Sequence, residues 1–183
     1  MIYNKDNSKR GFTLIEMMTA VSIFLIIMVM SMGSIISILD ANRKSELLRS
    51  IMNNLNLTIE SMSREMRFGK SYHCGSSGNI TLPQNCTSSP ADFISFLSSD
   101  NEQIVYRQNG SRIEKSLNGG STYVEVTAPE VVIDELAFNV LGSVVGDTLQ
   151  PRVIMKIRGH AGAQGEETNF TIETLVTQRL QDI

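Results

Sequence analysis

From Met17 to Leu39 the chain carries no charge. Within that run, Ile23-Phe24-Leu25-Ile26-Ile27-Met28-Val29-Met30 has no polar side. A helix built from it must be surrounded by lipid or by other apolar helices. Phe12–Leu39 is 28 residues. At about 1.5 Å per residue such a helix covers roughly 42 Å, enough to cross a hydrocarbon core of about 30 Å. Beyond Asp40 the pattern changes with no proline or turn cluster between. Leu47, Leu48, Ile51, Leu55, Ile59, Met62 and Met66 recur at spacings of three and four, with Arg49, Asn53, Glu60, Arg64 and Arg67 off that stripe. The pattern predicts one helix from about Phe12 to Phe68, roughly 85 Å long, with Gly69 as its C-terminal cap.

After Gly69 the period switches. Ser71–Pro90 is rich in Ser, Gly, Asn and Pro and reads as turns. Strand-like segments follow at Asp92–Leu97, Gln103–Gln108, Arg112–Leu117, Thr122–Val126, Glu135–Leu141, Arg152–Arg158 and Asn169–Thr177. Asn109-Gly110 and Asn118-Gly119-Gly120 are hairpin signals, because both residue types tolerate positive φ. They predict an antiparallel meander over 103–126. Thr127-Ala128-Pro129-Glu130 resembles a capping box with an early proline and predicts a short helical turn. Gly142–Gln150 and Gly159–Glu167 read as polar loops. Val153, Met155 and Ile157 alternate onto one face, and Phe170, Ile172 and Leu175–Val176 form another core set. An antiparallel sheet with one apolar face, laid on the helix stripe, buries both. The expected fold class is α+β, with segments at residues 1–11 (leader), 12–39 (membrane-length helix), 40–69 (amphipathic helix) and 70–183 (antiparallel sheet domain).

Charge sharpens this division. The chain has a formal net charge of −3. Met1–Gly11 holds Lys5, Lys9 and Arg10 against Asp6, so it contributes +2, leaving −5 for the remainder. An acidic remainder argues against nucleic-acid binding, which needs cations to neutralise phosphates. The short basic leader reads as a tag. Its distinctive junction, Gly11-Phe12, precedes the apolar run, whereas a secretory signal is cut after it. Basic residues flank the run on both sides, with Arg43, Lys44 and Arg49 after it, so positive-inside counting leaves the orientation open. Gly33 and Ser37 stand four apart, a spacing that permits close helix approach.

One carboxylate, Glu16, stands at the head of the apolar helix. An acid there costs several kcal/mol, order of magnitude, unless it is paired. It either snorkels to the interface or meets a cation from another molecule. Cutting after Gly11 would create such a cation, the α-amino group of Phe12, and axially offset copies could bring it to a neighbour's Glu16. Cys74 and Cys86 stand twelve apart in the turn-rich stretch. They read as a disulfide if the domain lies outside the cytoplasm and as free thiols otherwise. His73 beside Cys74 has no evident further ligands, so no metal site is expected. His160, in Gly159-His160-Ala161-Gly162, reads as a solvated loop histidine. The spacing of Gly159, Gly162 and Gly165 does not match a phosphate-binding loop. Asp134-Glu135 and Glu166-Glu167 read as solvated acid pairs. No catalytic motif and no cofactor site are legible, so a non-enzymatic role is expected.

Lys9-Arg10-Gly11-Phe12-Thr13-Leu14-Ile15-Glu16, followed by the uncharged run, resembles the class III signal of type IV prepilins and type II secretion pseudopilins. The likeness spans roughly Lys9–Leu39. It implies cleavage after Gly11 by a membrane prepilin peptidase, N-methylation of Phe12, and extraction from the membrane into a helical filament. It also implies that Glu16 serves methylation and pairs with a neighbouring subunit's amine. Implied partners are the peptidase, other pilin or pseudopilin subunits, an inner-membrane assembly platform and lipid. The implied location is the bacterial inner membrane, single-pass, with the C-terminal domain extracytoplasmic, and then the filament. Many pilins have a proline where this chain has Gly33. The helix end Ser63–Gly69 and the strands over Pro151–Arg158 and Phe170–Arg179 are similar in layout to minor pilins and J-type pseudopilins. The rival reading is a single-pass anchored binding protein that does not polymerise.

Overall fold

The computed structural model describes residues 11–87, 89–146, 149–162 and 167–179. The expected leader therefore lies outside the described residues except for Gly11, as do Gly165 and Glu166. One α-helix, α1, runs Leu14–Phe68, and the chain divides into two compact units, Met1–Glu46 and Leu47–Ile183.

In the first unit every described side chain of α1 is exposed, and its most apolar stretch has a mean hydropathy of 2.5. Its hydroxyls turn inward on their own helix. Ser22 donates to the Met18 carbonyl (2.8 Å), Ser31 to Ile27 (2.8 Å) and Ser34 to Met30 (3.4 Å). Back-bonding of this kind satisfies a hydroxyl where no water is at hand. The helix passes through Gly33 without a break.

In the second unit Ile51, Leu55, Met62 and Met66 of α1 are buried, while Leu47 stays half exposed. They join one hydrophobic cluster with two antiparallel sheets rather than the single sheet expected. The first sheet holds β1 (Lys70–Cys74), β2 (Phe93–Leu97), β3 (Gln103–Asn109), β4 (Arg112–Ser116) and β5 (Val124–Glu125), in that order. The second holds β6 (Val131–Leu141), β7 (Arg152–Ala161) and β8 (Thr168–Thr177). The meander over β3, β4 and β5 is present, with Gly110, Gly119 and Gly120 at positive φ in its turns.

Several expectations are corrected. The helix starts at Leu14 rather than Phe12. β1 lies where turns were expected. Thr127–Glu130 forms no helix; a tight turn closes there by Val131 N–H to the Ala128 carbonyl (3.0 Å), and the Thr127 hydroxyl accepts from Ile113 N–H (3.3 Å). Gly159 and His160 belong to β7, not to a loop. Leu175 points away from the core, 57 % exposed, because Phe170, Ile172, Thr174 and Val176 share the inner face. Gly69 follows the helix but is not in the left-handed region. It is needed for space: a Cβ there would lie 2.6 Å from the Phe96 ring.

Candidate functional site

The N-terminal candidates lie in one short stretch of the first unit. Gly11 and Phe12 precede the helix, and Phe12 is 79 % exposed. Thr13 is the N-cap. Its hydroxyl accepts from Glu16 N–H (3.3 Å), and its carbonyl accepts the first helical bond from Met17 N–H (3.2 Å). Thr13-x-x-Glu16 is thus the frame of a capping box, with Glu16 in the third helical position. The threonine was not singled out from sequence, although the T-x-x-E spacing before an apolar run is its signal. Glu16 sits in the first turn, where the positive end of the helix dipole favours a carboxylate by about 0.3–1 kcal/mol. That offsets only part of the cost of an acid among lipid tails. The Glu16 carbonyl accepts from the Thr19 hydroxyl (3.0 Å).

The arrangement is open where processing would act. A Cβ on Gly11 would touch nothing within 4 Å, and Gly11, Phe12 and Thr13 are all exposed. Breaking the Gly11–Phe12 bond would leave a backbone α-amino group on Phe12, an exposed residue two positions ahead of the first helical residue. Fixed by its own helix turn, Glu16 then presents its carboxylate at a defined height above the uncharged segment.

The second unit holds the cysteines. The sulfurs of Cys74, at the end of β1, and Cys86 stand at disulfide distance with Cα atoms 5.6 Å apart, inside the range a bridge spans without backbone movement. Both sulfurs contact the Phe138 carbonyl of β6 (3.4 and 3.1 Å). His73 is buried with Nδ1 2.8 Å from the Leu82 carbonyl and Nε2 3.0 Å from the Ser77 carbonyl. Its nitrogens hold the 76–82 loop against β1. Among the described residues no group of three or more His, Cys, Asp or Glu side chains is placed to hold a metal.

Two further polar groups emerge, one built from residues read as solvated and one that the sequence did not signal. His160 of β7 stands between Asp134 (3.2 Å) and Glu167 (4.0 Å) on opposite ring nitrogens, which ties the start of β8 to β6. Glu65 of α1 takes the Tyr106 hydroxyl (2.8 Å) and the Lys115 ammonium (2.6 Å). Burial first, then the Glu65 charge and its hydrogen bond, pushes the Tyr106 hydroxyl well above the ordinary tyrosine range. Beside this trio opens a hollow of about 300 Å³ lined by Leu57, Thr58, Met62 and Val126.

Residues 6–32 match the family model of the prokaryotic N-terminal methylation motif. The chain therefore carries, over that stretch, the class III signal found on type IV pilins and pseudopilins. Neither the curated proteins nor the solved structures yield a match to this chain.

Proposed function

We propose that this chain is the precursor of a minor pilin or pseudopilin, a non-enzymatic subunit of a type IV pilus or a type II secretion-like filament. Prepilin peptidase removes Met1–Gly11, and Phe12 is then N-methylated. The observation that carries this reading is a coincidence of place. The methylation motif ends in a helix whose uncharged stretch is exposed all round, and the one acid at its head is the fifth residue after the cleavage junction. An anchor alone accounts for the apolar length but gives Glu16 no task.

The physical sequence of events follows from solvation. In the membrane the segment to Leu39 is stabilised by lipid, at roughly 25 cal/mol per Å² of apolar surface removed from water. In a filament the same surface is covered by equivalent helices of other subunits, so transfer from one to the other leaves the hydrophobic term nearly unchanged. What differs is pairing. A bare carboxylate in hydrocarbon finds, in the filament, the Phe12 amine of an axially offset neighbour, and two unfavourable buried charges become one neutral pair. That pair sets the axial register. With the leader in the cytoplasm, one membrane crossing places the unit from Leu47 outside, where Cys74 and Cys86 oxidise. Peptidase, filament subunits and an inner-membrane assembly platform are the partners this requires.

Glu16→Ala tests the pairing step. The variant is expected to insert and be cleaved as the parent is, because the apolar run is untouched, yet to be depleted at least tenfold from sheared filaments. Equal incorporation of parent and variant would show that Glu16 does not set the register.

A further inference from the structure

The two sheets present four outer edges, and the chain closes or shortens three of them. β5 ends its sheet with only two residues. Along β1 the backbone of Gln84 fills the edge: Cys74 N–H donates to the Gln84 carbonyl (3.1 Å) and Gln84 N–H to the Tyr72 carbonyl (2.9 Å). Along β6, Cys86 N–H donates to the Val140 carbonyl (3.2 Å), and Ala91 and Phe138 exchange two backbone bonds (3.1 and 2.7 Å). Further along β6 the Gln108 side chain accepts from Leu136 N–H (2.8 Å) and donates to the Ile133 carbonyl (3.1 Å).

β8 is treated differently. It is ten residues long, pairs with β7 along its whole length without a bulge, and makes no backbone hydrogen bond on its other side among the described residues. Natural edge strands are blunted by lysine, proline, bulges or brevity. β8 has none of these: it contains no Lys, Arg or Pro, and its one charge, Glu173, lies in register with Lys156 of β7. On the inner face Ile172 and Thr174 are only partly buried, while their β7 partners Ile157 and Met155 are fully buried. The core is unfinished on that side.

We propose that β8 is a docking edge that pairs antiparallel with β8 of a second copy of this chain, joining two three-stranded sheets into one of six strands. The occupant follows from the closures above: of the four edges, β8 is, among the described residues, the one long free strand a copy can offer. Antiparallel pairing is the mode of both sheets, and a contact of identical edges closes on itself. Centred on Ile172, it sets Thr171 opposite Glu173 and Asn169 opposite Leu175, so no like charges face each other, and the two partly buried Ile172 side chains meet on the inner face. Centring on Glu173 would oppose two carboxylates, which is unfavourable. The contact does not depend on filament assembly.

Cysteine pairing in the full-length chain, in membranes, tests the register. Thr171→Cys and Glu173→Cys are made separately and coexpressed; both positions are exposed, and the two native cysteines are held against each other. Mild oxidation is expected to give a mixed 171–173 disulfide dimer several-fold above a Val124→Cys control on the β5 edge. Adding Asn169→Lys with Leu175→Lys, which opposes two lysines across the same axis, is expected to return cross-linking to the control level. The proposal is overturned by a 171–173 yield no higher than the control, by a yield that the lysines leave unchanged, or by cross-links that form to a different protein instead.

Discussion

Glu65 faces the first sheet from the last turns of α1, with its carboxylate shared between the Tyr106 hydroxyl and the Lys115 ammonium. Tyr106 and Lys115 are cross-strand partners on β3 and β4, so the sheet register delivers both to one helix position. The phenol proton is held by burial and by the neighbouring carboxylate, and its folded pKa is raised above the unfolded value of about 10. The sign follows from linkage. The stability this group contributes is whole below about pH 10 and is lost as pH rises further, because the unfolded chain gives up the proton first. In an alkaline titration followed at the phenolate absorption band, Tyr106 is expected to ionise only together with unfolding, and Tyr106→Phe is expected to reduce by one the tyrosines that ionise in that coupled step. Ionisation of every tyrosine near pH 10 in a chain that stays folded would contradict the assignment. Legibility at this scale was uneven. Glu16 stood out because a charge in an uncharged run is anomalous by itself. Glu65 did not, since an acid off an apolar stripe is the ordinary case, and its partners are about 40 and 50 residues distant along the chain.

α1 was readable almost to the residue because its two periodicities are local properties of the sequence. The strands with clean alternation, such as β7, were equally plain. What failed were features decided by tertiary contact. β1 hides in a Ser/Gly/Asn-rich stretch and exists because β2 and Gln84 flank it. The division into two sheets is not written in any one strand. Leu175 looked like core because it is apolar, but strand phase turns it outward. Gly159 read as a loop residue, yet it lies in β7, where a Cβ would stand 2.3 Å from the Val132 carbonyl oxygen and 2.9 Å from the Phe170 ring. The glycine permits β6 and the ring of Phe170 to close over β7. Gly159→Ala forces backbone against backbone and is expected to destabilise the second unit by about 3 kcal/mol, the upper range for overpacking. Urea unfolding of the chain in detergent would measure it. An unchanged midpoint would show that β6 can move aside at little cost.

At the scale of the molecule, one chain is fitted to two solvents. The unit to Glu46 exposes apolar side chains all round and hides its hydroxyls on its own backbone, as lipid or helical neighbours require. The unit from Leu47 encloses a core and carries most of the charge, as water requires. The processing motif sits at the head of the first unit, and every step of the proposed filament role starts from a cut at that point. The helix and the lone acid were legible from sequence because the physics of a membrane leaves few alternatives. Which filament the proposed subunit would join was not legible in the sequence. The intact mass of the mature protein, extracted from the membranes of cells that contain prepilin peptidase, tests the account most directly. The account predicts a chain that has lost Met1–Gly11 and gained one methyl group on the α-amine of Phe12. A full-length chain that still begins at Met1, in those same cells, would contradict it.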